Sequence, residues 1–134
     1  MVHEGAPAEG RRAPEVPDHW QNFVICLLFH MILPLTPLLL EYILTGLATS
    51  KTLLLSATMY SVSVCGSSQS KLWFGAGVFI AIVFAALFGL STHAGTSLEV
   101  GIGWPLASIG FVFITHALER YNRHIVDRTP FWEF

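Results

Sequence analysis

Ionisable side chains inside apolar runs are the residues of this chain with the clearest chemical potential. His30 and Glu41 lie in "HMILPLTPLLLE", and Ser61 lies in a later apolar run that is rich in hydroxyls. An ionisable group within a membrane span indicates a proton relay or an ion-binding site. The alternatives are a neutral His30 bonded to a hydroxyl of another helix and an interfacial Glu41 paired with Lys51. We therefore treat His30, Glu41 and Ser61 as candidates for an ion or proton pathway.

Enzyme, metal and cofactor chemistry is not predicted by the sequence. The six histidines are scattered along the chain, whereas a metal site needs several ligands that converge. The chain also lacks a phosphate loop, a dinucleotide fingerprint and a nucleophile elbow. We expect no catalytic residue, no metal, no cofactor and no direct contact with nucleic acid. A membrane enzyme with His30, Glu41 or His116 as acid–base groups is kept as an alternative to the two functions given below.

The composition and the placement of charges predict a membrane protein. Hydrophobic residues make up 53% of the chain and charged residues 12%, about half the charged share of a soluble domain. Between Glu41 and Glu119 the only charged residues are Lys51, Lys71 and Glu99. The long uncharged runs that remain are typical of a chain that crosses the bilayer several times.

The predicted fold is an all-α membrane protein with a four-transmembrane-helix bundle. The bundle occupies residues 20–118, between a polar N-terminal tail at 1–19 and a basic and aromatic C-terminal tail at 119–134. The four predicted spans are 20–49, 52–68, 72–92 and 100–118. The second span is rich in hydroxyls, and we expect it to cross because polar spans are tolerated when they pack inside a bundle. If it does not cross, there are three crossings and the two termini lie on opposite sides.

Four crossings place both termini on the same side of the membrane. The positive-inside rule then makes that side cytoplasmic, in a plasma or inner membrane. The residues that would lie inside are Arg11, Arg12, Lys71, Arg120, Arg123 and Arg128, against Lys51 alone outside.

Two prolines predict an irregular first span. Pro34 and Pro37 each remove a backbone donor and clash with the preceding turn, so the helix should kink or break there. Thr36 directly before Pro37 has the pattern of an N-cap, which predicts two half-helices at 21–33 and 37–49. Such a break can line a watery cavity; the alternative is a kink that fits the bundle.

A stripe of small residues predicts close helix packing in the third span. Gly77, Ala81, Ala85 and Gly89 recur at every fourth position, which keeps them on one helix face. In lipid, small residues allow helices to approach closely. The stripe is therefore interpreted as a seam between helices or between subunits, with chance in a Gly/Ala-rich span as the alternative. The residues expected to face lipid are Phe79, Ile82, Phe84 and Phe88.

The C-terminal tail predicts contacts at the cytoplasmic surface. Its basic residues suit lipid headgroups, and Glu119 can pair with Arg123 one helical turn away. Its final aromatic residues could lie on the membrane, fold back or dock in a partner. The residues assigned to partner or headgroup contact are Arg120, Arg123, Arg128, Phe131, Trp132 and Phe134.

Two functions are consistent with these features. The first is a non-enzymatic, homo-oligomeric membrane subunit, an anchor or sensor that recruits or regulates a cytosolic protein through its tails. The alternative is an ion channel, pore or small transporter that uses the broken first helix with His30 and Glu41. In both cases the expected partners are the bilayer and further copies of the chain.

Overall fold

The computed structural model describes residues 15–93 and 100–130. Within these ranges every regular element is helical, and there is no strand. The α-helices are α1 (Asp18–Ile25), α2 (Thr36–Thr45), α3 (Ser50–Cys65), α4 (Lys71–Thr92) and α5 (Gly103–Tyr121). The other helical turns are a π segment at Cys26–Ile32, a 3-10 turn at Leu33–Leu35 and a π turn at Asn122–Val126. The predicted contact residues Phe131, Trp132 and Phe134 lie outside the described residues.

The first helical segment is not broken. It runs without interruption from Asp18 to Thr45, over 28 residues. The two prolines change the type of helix instead, since a π segment and a 3-10 turn precede α2. The prediction of two half-helices is therefore wrong, while an irregularity at Pro34 and Pro37 is present.

Thr36 explains how the helix continues past the second proline. Pro37 has no N–H to donate to the Leu33 carbonyl, which would be its partner in an α-helix. The Thr36 hydroxyl donates to that carbonyl at 2.6 Å, and the Thr36 backbone N–H also bonds to it. Thr36 makes no capping bond, so the predicted N-cap is wrong, because the hydroxyl turns back into the helix rather than forward.

α3 is the central helix, although it is one of the most polar. It packs against α4, α5 and the first helical segment. Its buried residues are Leu53, Leu54, Ala57, Tyr60, Ser61, Val64 and Cys65. Small side chains on this helix allow its neighbours to approach closely, which is how polar helices are accommodated inside a bundle.

The small-residue stripe of α4 is divided between two environments. Gly77 and Ala81 are buried, and a Cβ on Gly77 would overlap the side chain of Cys65. Ala85 and Gly89 are exposed, so half of the predicted seam is left uncovered in a single chain. Phe84, which was expected to face lipid, is instead buried, because it belongs to the same hydrophobic cluster as Leu54 of α3 and Val112 of α5.

The helices alternate in direction. Phe23 and Tyr121 are in edge-to-face ring contact with centroids 5.9 Å apart, which puts the start of α1 beside the end of α5. His30 bonds to Ser67 near this same end, which we call the terminal end. At the opposite end, which we call the hairpin end, Leu47, Leu53 and Ile102 line one cavity.

Two helices of the described residues are long and apolar enough to cross a membrane: Asp18–Thr45 and Lys71–Thr92. The 16 residues of α3 extend about 24 Å, less than the ~30 Å hydrocarbon core. α5 carries Glu119 and Arg120 in its last turn. The crossings predicted at 52–68 and 100–118 therefore stay predictions.

Candidate functional site

A group of hydrogen-bonded polar side chains lies inside the terminal end, and we call it the terminal cluster. It draws on three parts of the chain: the π segment, the turn after α3 and the last turns of α5. Its members are His30, Ser67, Ser68, His116, Glu119 and Arg120. The π geometry widens the helix at His30, and π segments are frequent at functional sites.

Ser67 is the centre of the terminal cluster. Its hydroxyl donates to the Val64 carbonyl at 2.9 Å and lies 2.5 Å from His30 Nε2. Arg120 Nη2 donates to the same hydroxyl at 2.7 Å and to the Ser67 carbonyl at 2.9 Å. One serine therefore ties the turn after α3 to two other helical segments.

Arg120 is buried rather than displayed at the surface. Its side chain is 3% exposed, and its Nε donates to His116 Nε2 at 3.0 Å. A buried guanidinium requires such partners because desolvation of an unpaired charge is costly. The predicted role of Arg120 in headgroup or partner contact therefore does not fit its position.

Glu119 bonds to the turn after α3 rather than to Arg123. Its carboxylate accepts from the Ser68 hydroxyl at 2.7 Å and from the Gln69 backbone N–H at 2.8 Å. Within the described residues its one ion-pair contact is His116 Nδ1 at 3.5 Å. The predicted pair with Arg123 is wrong, because the Glu119 carboxylate is directed to the turn after α3.

The two histidines of the terminal cluster lie side by side, with ring centroids 5.6 Å apart. His116 Nε2 accepts from Arg120, so its proton belongs on Nδ1, which faces Glu119. Because the Ser67 hydroxyl donates to Val64, His30 Nε2 is the donor towards Ser67. His30 is therefore placed as the alternative interpretation described it, bonded to a hydroxyl of the second predicted span.

Ser67, His116 and Glu119 stand in the order of a serine–histidine–acid triad, with 3.3 Å from Ser67 Oγ to His116 Nε2. A working triad needs that nitrogen free to take the serine proton. Arg120 occupies it, and the serine proton points to Val64. His116 is also only 2% exposed. The arrangement therefore supports a fixed hydrogen-bond network and not nucleophilic attack.

The other two pathway candidates lie apart from the terminal cluster. Glu41 is half-buried, its Oε2 has no hydrogen-bond partner, and no ion pair within the described residues joins it to Lys51. Ser61 is fully buried, and its hydroxyl has no hydrogen-bond partner at 15–93 or 100–130. No hydrogen bond in this part of the chain connects His30, Glu41 and Ser61, so the structure does not bring the three candidates together.

The segment after α5 folds back on itself. His124 is fully buried, and its Nδ1 bonds to the Thr129 carbonyl at 2.9 Å. Burial lowers the pKa of His124, and the charges of Arg120 and Arg123 lower it further, against the opposing Thr129 bond. Arg128 is exposed and Arg123 half-exposed, so these two remain available for the predicted surface contacts.

Metal ligation and known relatives give no further assignment. Among the described residues, no three His, Cys, Asp or Glu side chains are grouped so as to hold a metal ion. Comparison with protein-family models, with curated proteins and with solved structures finds no match for this chain.

Most of the terminal cluster was not predicted. One signal was present, because His116, Glu119 and Arg120 are spaced three and four residues apart and share a helix face. Ser67 and Ser68 gave no signal among the many hydroxyls of the neighbouring helix. Their role depends on contacts between residues some 50 positions apart in the chain.

Proposed function

We propose that this chain is a small multi-pass membrane subunit, assembled as a homo-oligomer, that holds or regulates a cytosolic protein at the membrane. Its four helical segments cross the bilayer, and the terminal end faces the cytoplasm. The hydrogen bonds of the terminal cluster hold the cytoplasmic ends of the helices together.

The large exposed apolar surface, together with a buried arginine, is the observation that carries this proposal. Arg120 is 3% exposed, while Leu44 is 80% and Ile43 is 73% exposed. In water, so large an exposed apolar surface would be unfavourable, whereas lipid tails cover it without cost. Exposed apolar helix faces around an interior that also holds a hydrogen-bonded arginine are expected for a chain surrounded by lipid.

Packing supports a crossing by α3 despite its polarity. Gly77 of α4 lies against Ser61 and Cys65 of α3. Further along α4, Phe84 joins the same hydrophobic core as Leu54 and other α3 residues. α3 therefore packs against α4 over much of the length of α4, and a membrane that α4 crosses would surround α3 as well.

Two exposed features support assembly and recruitment. Ala85 and Gly89 of α4 form an uncovered small-residue face, which suits close approach by a second copy. At the terminal end, Thr129 is held by two bonds to the Arg123 carbonyl. Thr129 is thus held beside the proposed cytoplasmic surface, two residues before the segment 131–134 in the sequence.

The test combines topology, mass and partner capture. Reporter tags at the two ends should both be cytoplasmic, and mild-detergent purification with native mass analysis should give an oligomer with a bound cytosolic protein. Removing residues 131–134 should release that protein without changing the oligomer. Ends on opposite faces, or a water-soluble monomer, would contradict the proposal.

A channel or pore is the second candidate, and one observation favours it. Glu41 Oε2, Tyr60 Oη and Ser61 Oγ are buried without hydrogen-bond partners among the residues that the structure describes, and such atoms can be satisfied by water or an ion. Liposomes containing the purified protein should then conduct ions or protons, with a flux that changes in Glu41→Gln and not in the surface variant Lys51→Gln. Absence of flux in every oligomeric state would remove this candidate.

A further inference from the structure

A polar cavity of about 490 Å³ lies at the terminal end between α1 and the segment after α5. Its volume is in the range of small-ligand sites. The residues that line it are Asp18, His19, Gln21, Asn22, Ile25, Arg128 and Pro130. None of them belongs to the terminal cluster, so this cavity is a separate feature of the same end.

The cavity presents one charge of each sign. Asp18 lies in the first turn of α1, and Arg128, from the segment after α5, lines the same cavity. Within the described residues no ion pair joins them to each other or to a third group. A ligand with one cationic and one anionic group would match both walls.

The backbone at Arg128 is held in position by hydrogen bonds of its neighbours, although the Arg128 side chain is exposed. The residues on either side of it are bonded back to the π turn: Asp127 N–H to Asn122 at 2.9 Å and Thr129 N–H to Arg123 at 3.0 Å. The buried His124 adds a bond to the Thr129 carbonyl. The backbone of this wall is therefore ordered before any ligand arrives, and only the Arg128 side chain has to be ordered on binding.

An apolar trough continues from the polar cavity. It has a volume of about 460 Å³ and shares Gln21 and Ile25 with the cavity; Val16, Trp20 and Val24 complete it. Trp20 is at the depth of an interfacial aromatic belt if the first helical segment crosses the membrane. A polar cavity at headgroup level joined to an apolar trough along the helix fits an amphiphile.

We propose that this cavity and trough bind a phospholipid whose headgroup carries a phosphate and a primary ammonium. Arg128 pairs with the phosphate, for which a guanidinium is well suited. Asp18 accepts hydrogen bonds from the ammonium, and an acyl chain lies along Val24. This proposal rests on the membrane location proposed above, and it assigns a specific lipid to the cytoplasmic end.

The test is native mass spectrometry of the detergent-purified protein with equal amounts of three lipids of matched chains. Phosphatidylethanolamine should be retained about tenfold better than phosphatidylcholine, whose quaternary ammonium cannot donate to Asp18, and than phosphatidylglycerol, which has no ammonium. Equal retention of the three lipids would overturn the proposal.

Variants assign the two charges. Asp18→Asn should abolish the preference for the ethanolamine lipid and Asp18→Glu should restore it, whereas Arg128→Gln should lower retention of all three lipids. Lys51→Gln, a surface lysine at the hairpin end, should change nothing. Each variant is first checked for an unchanged melting temperature; a preference that survives in folded Asp18→Asn contradicts the assignment.

A soluble headgroup compound shows whether the ligand is a membrane lipid or a free headgroup without acyl chains. Glycerophosphoethanolamine lacks acyl chains and should compete with the lipid only at much higher concentration; competition at equal concentration would overturn the role of the trough. If all lipids bind equally while both tags remain cytoplasmic, the lipid site is wrong and the membrane location stands.

Discussion

The terminal cluster and the helix interior treat their polar side chains in opposite ways. In the terminal cluster, Ser67, Glu119 and Arg120 each make two or more hydrogen bonds. In the interior, Tyr60 and Ser61 are as deeply buried as Arg120, yet their hydroxyls have no partner among the described residues. Burial alone therefore does not decide whether a polar group is satisfied.

The difference follows from what surrounds each group. The turn after α3 exposes backbone groups and serine hydroxyls that are not used by a helix, so polar side chains find partners there. Within the helices the backbone bonds are already made, and neighbours such as Phe84 and Val112 offer only apolar contact. We infer that the terminal cluster fixes the geometry, whereas the interior depends on close packing.

The largest expected effect comes from removing the buried guanidinium. Arg120→Ala should destabilise the fold by about 3 kcal/mol, because it strips donors from Ser67 and His116 and leaves Glu119 as the remaining charge inside. Thermal unfolding in detergent, followed by size-exclusion chromatography, measures the loss. Arg128→Ala is the matched control, an exposed arginine at the same end. Equal stability of the two variants would show that the terminal cluster does not hold the helices together.

A packing variant tests the other region. Gly77→Ala should cost about 2 kcal/mol, because the added Cβ overlaps the side chain of Cys65 and two helices must separate. Gly89→Ala is the control, since no atom of the described part of the chain lies within 4 Å of a Cβ there. The double variant Gly77→Ala/Cys65→Gly should recover part of the loss. Gly89→Ala should leave the stability of the single chain unchanged and weaken only the oligomer.

A pair of serines compares the two regions directly. Ser67→Ala should cost about 1 kcal/mol, because it leaves Arg120 without one acceptor and His30 without its bond. Ser61→Ala should be neutral or slightly stabilising, because the buried hydroxyl has no partner to lose. Melting temperatures of the two variants decide the point. A larger loss for Ser61→Ala would indicate an unseen partner and would favour the channel.

The smallest expected effect is a dependence on pH at the terminal end. Burial lowers the pKa of His124 in the folded state, so the unfolded chain takes up a proton first as the pH falls. The contribution of neutral His124 to stability should therefore be fully present above about pH 6.5, the ordinary pKa of histidine. It should be lost progressively as the pH falls below that value. The decline should be shallower in His124→Gln, whose amide keeps a donor for Thr129. An unchanged pH profile would show that His124 does not contribute.

The sequence predicted much of the helical organisation and little of the terminal cluster. The first and third predicted spans correspond to Asp18–Thr45 and Lys71–Thr92, because continuous apolar runs leave few alternatives to a helix. The irregularity at the prolines was also readable, since a missing N–H has a local effect. The predicted break does not occur, because the Thr36 hydroxyl donates to the carbonyl that Pro37 leaves without its usual donor.

Local chemistry and long-range contact account for this division. The sequence by itself determined that the chain is helical, that α4 has a small-residue face and that ionisable groups lie among apolar ones. Only the tertiary structure decided that Arg120 points inward, that Glu119 bonds to Ser68 instead of Arg123, and that half of the small-residue face stays uncovered. Helix formation depends on residues within a few positions, whereas the partner of a buried charge depends on which distant turn packs beside it.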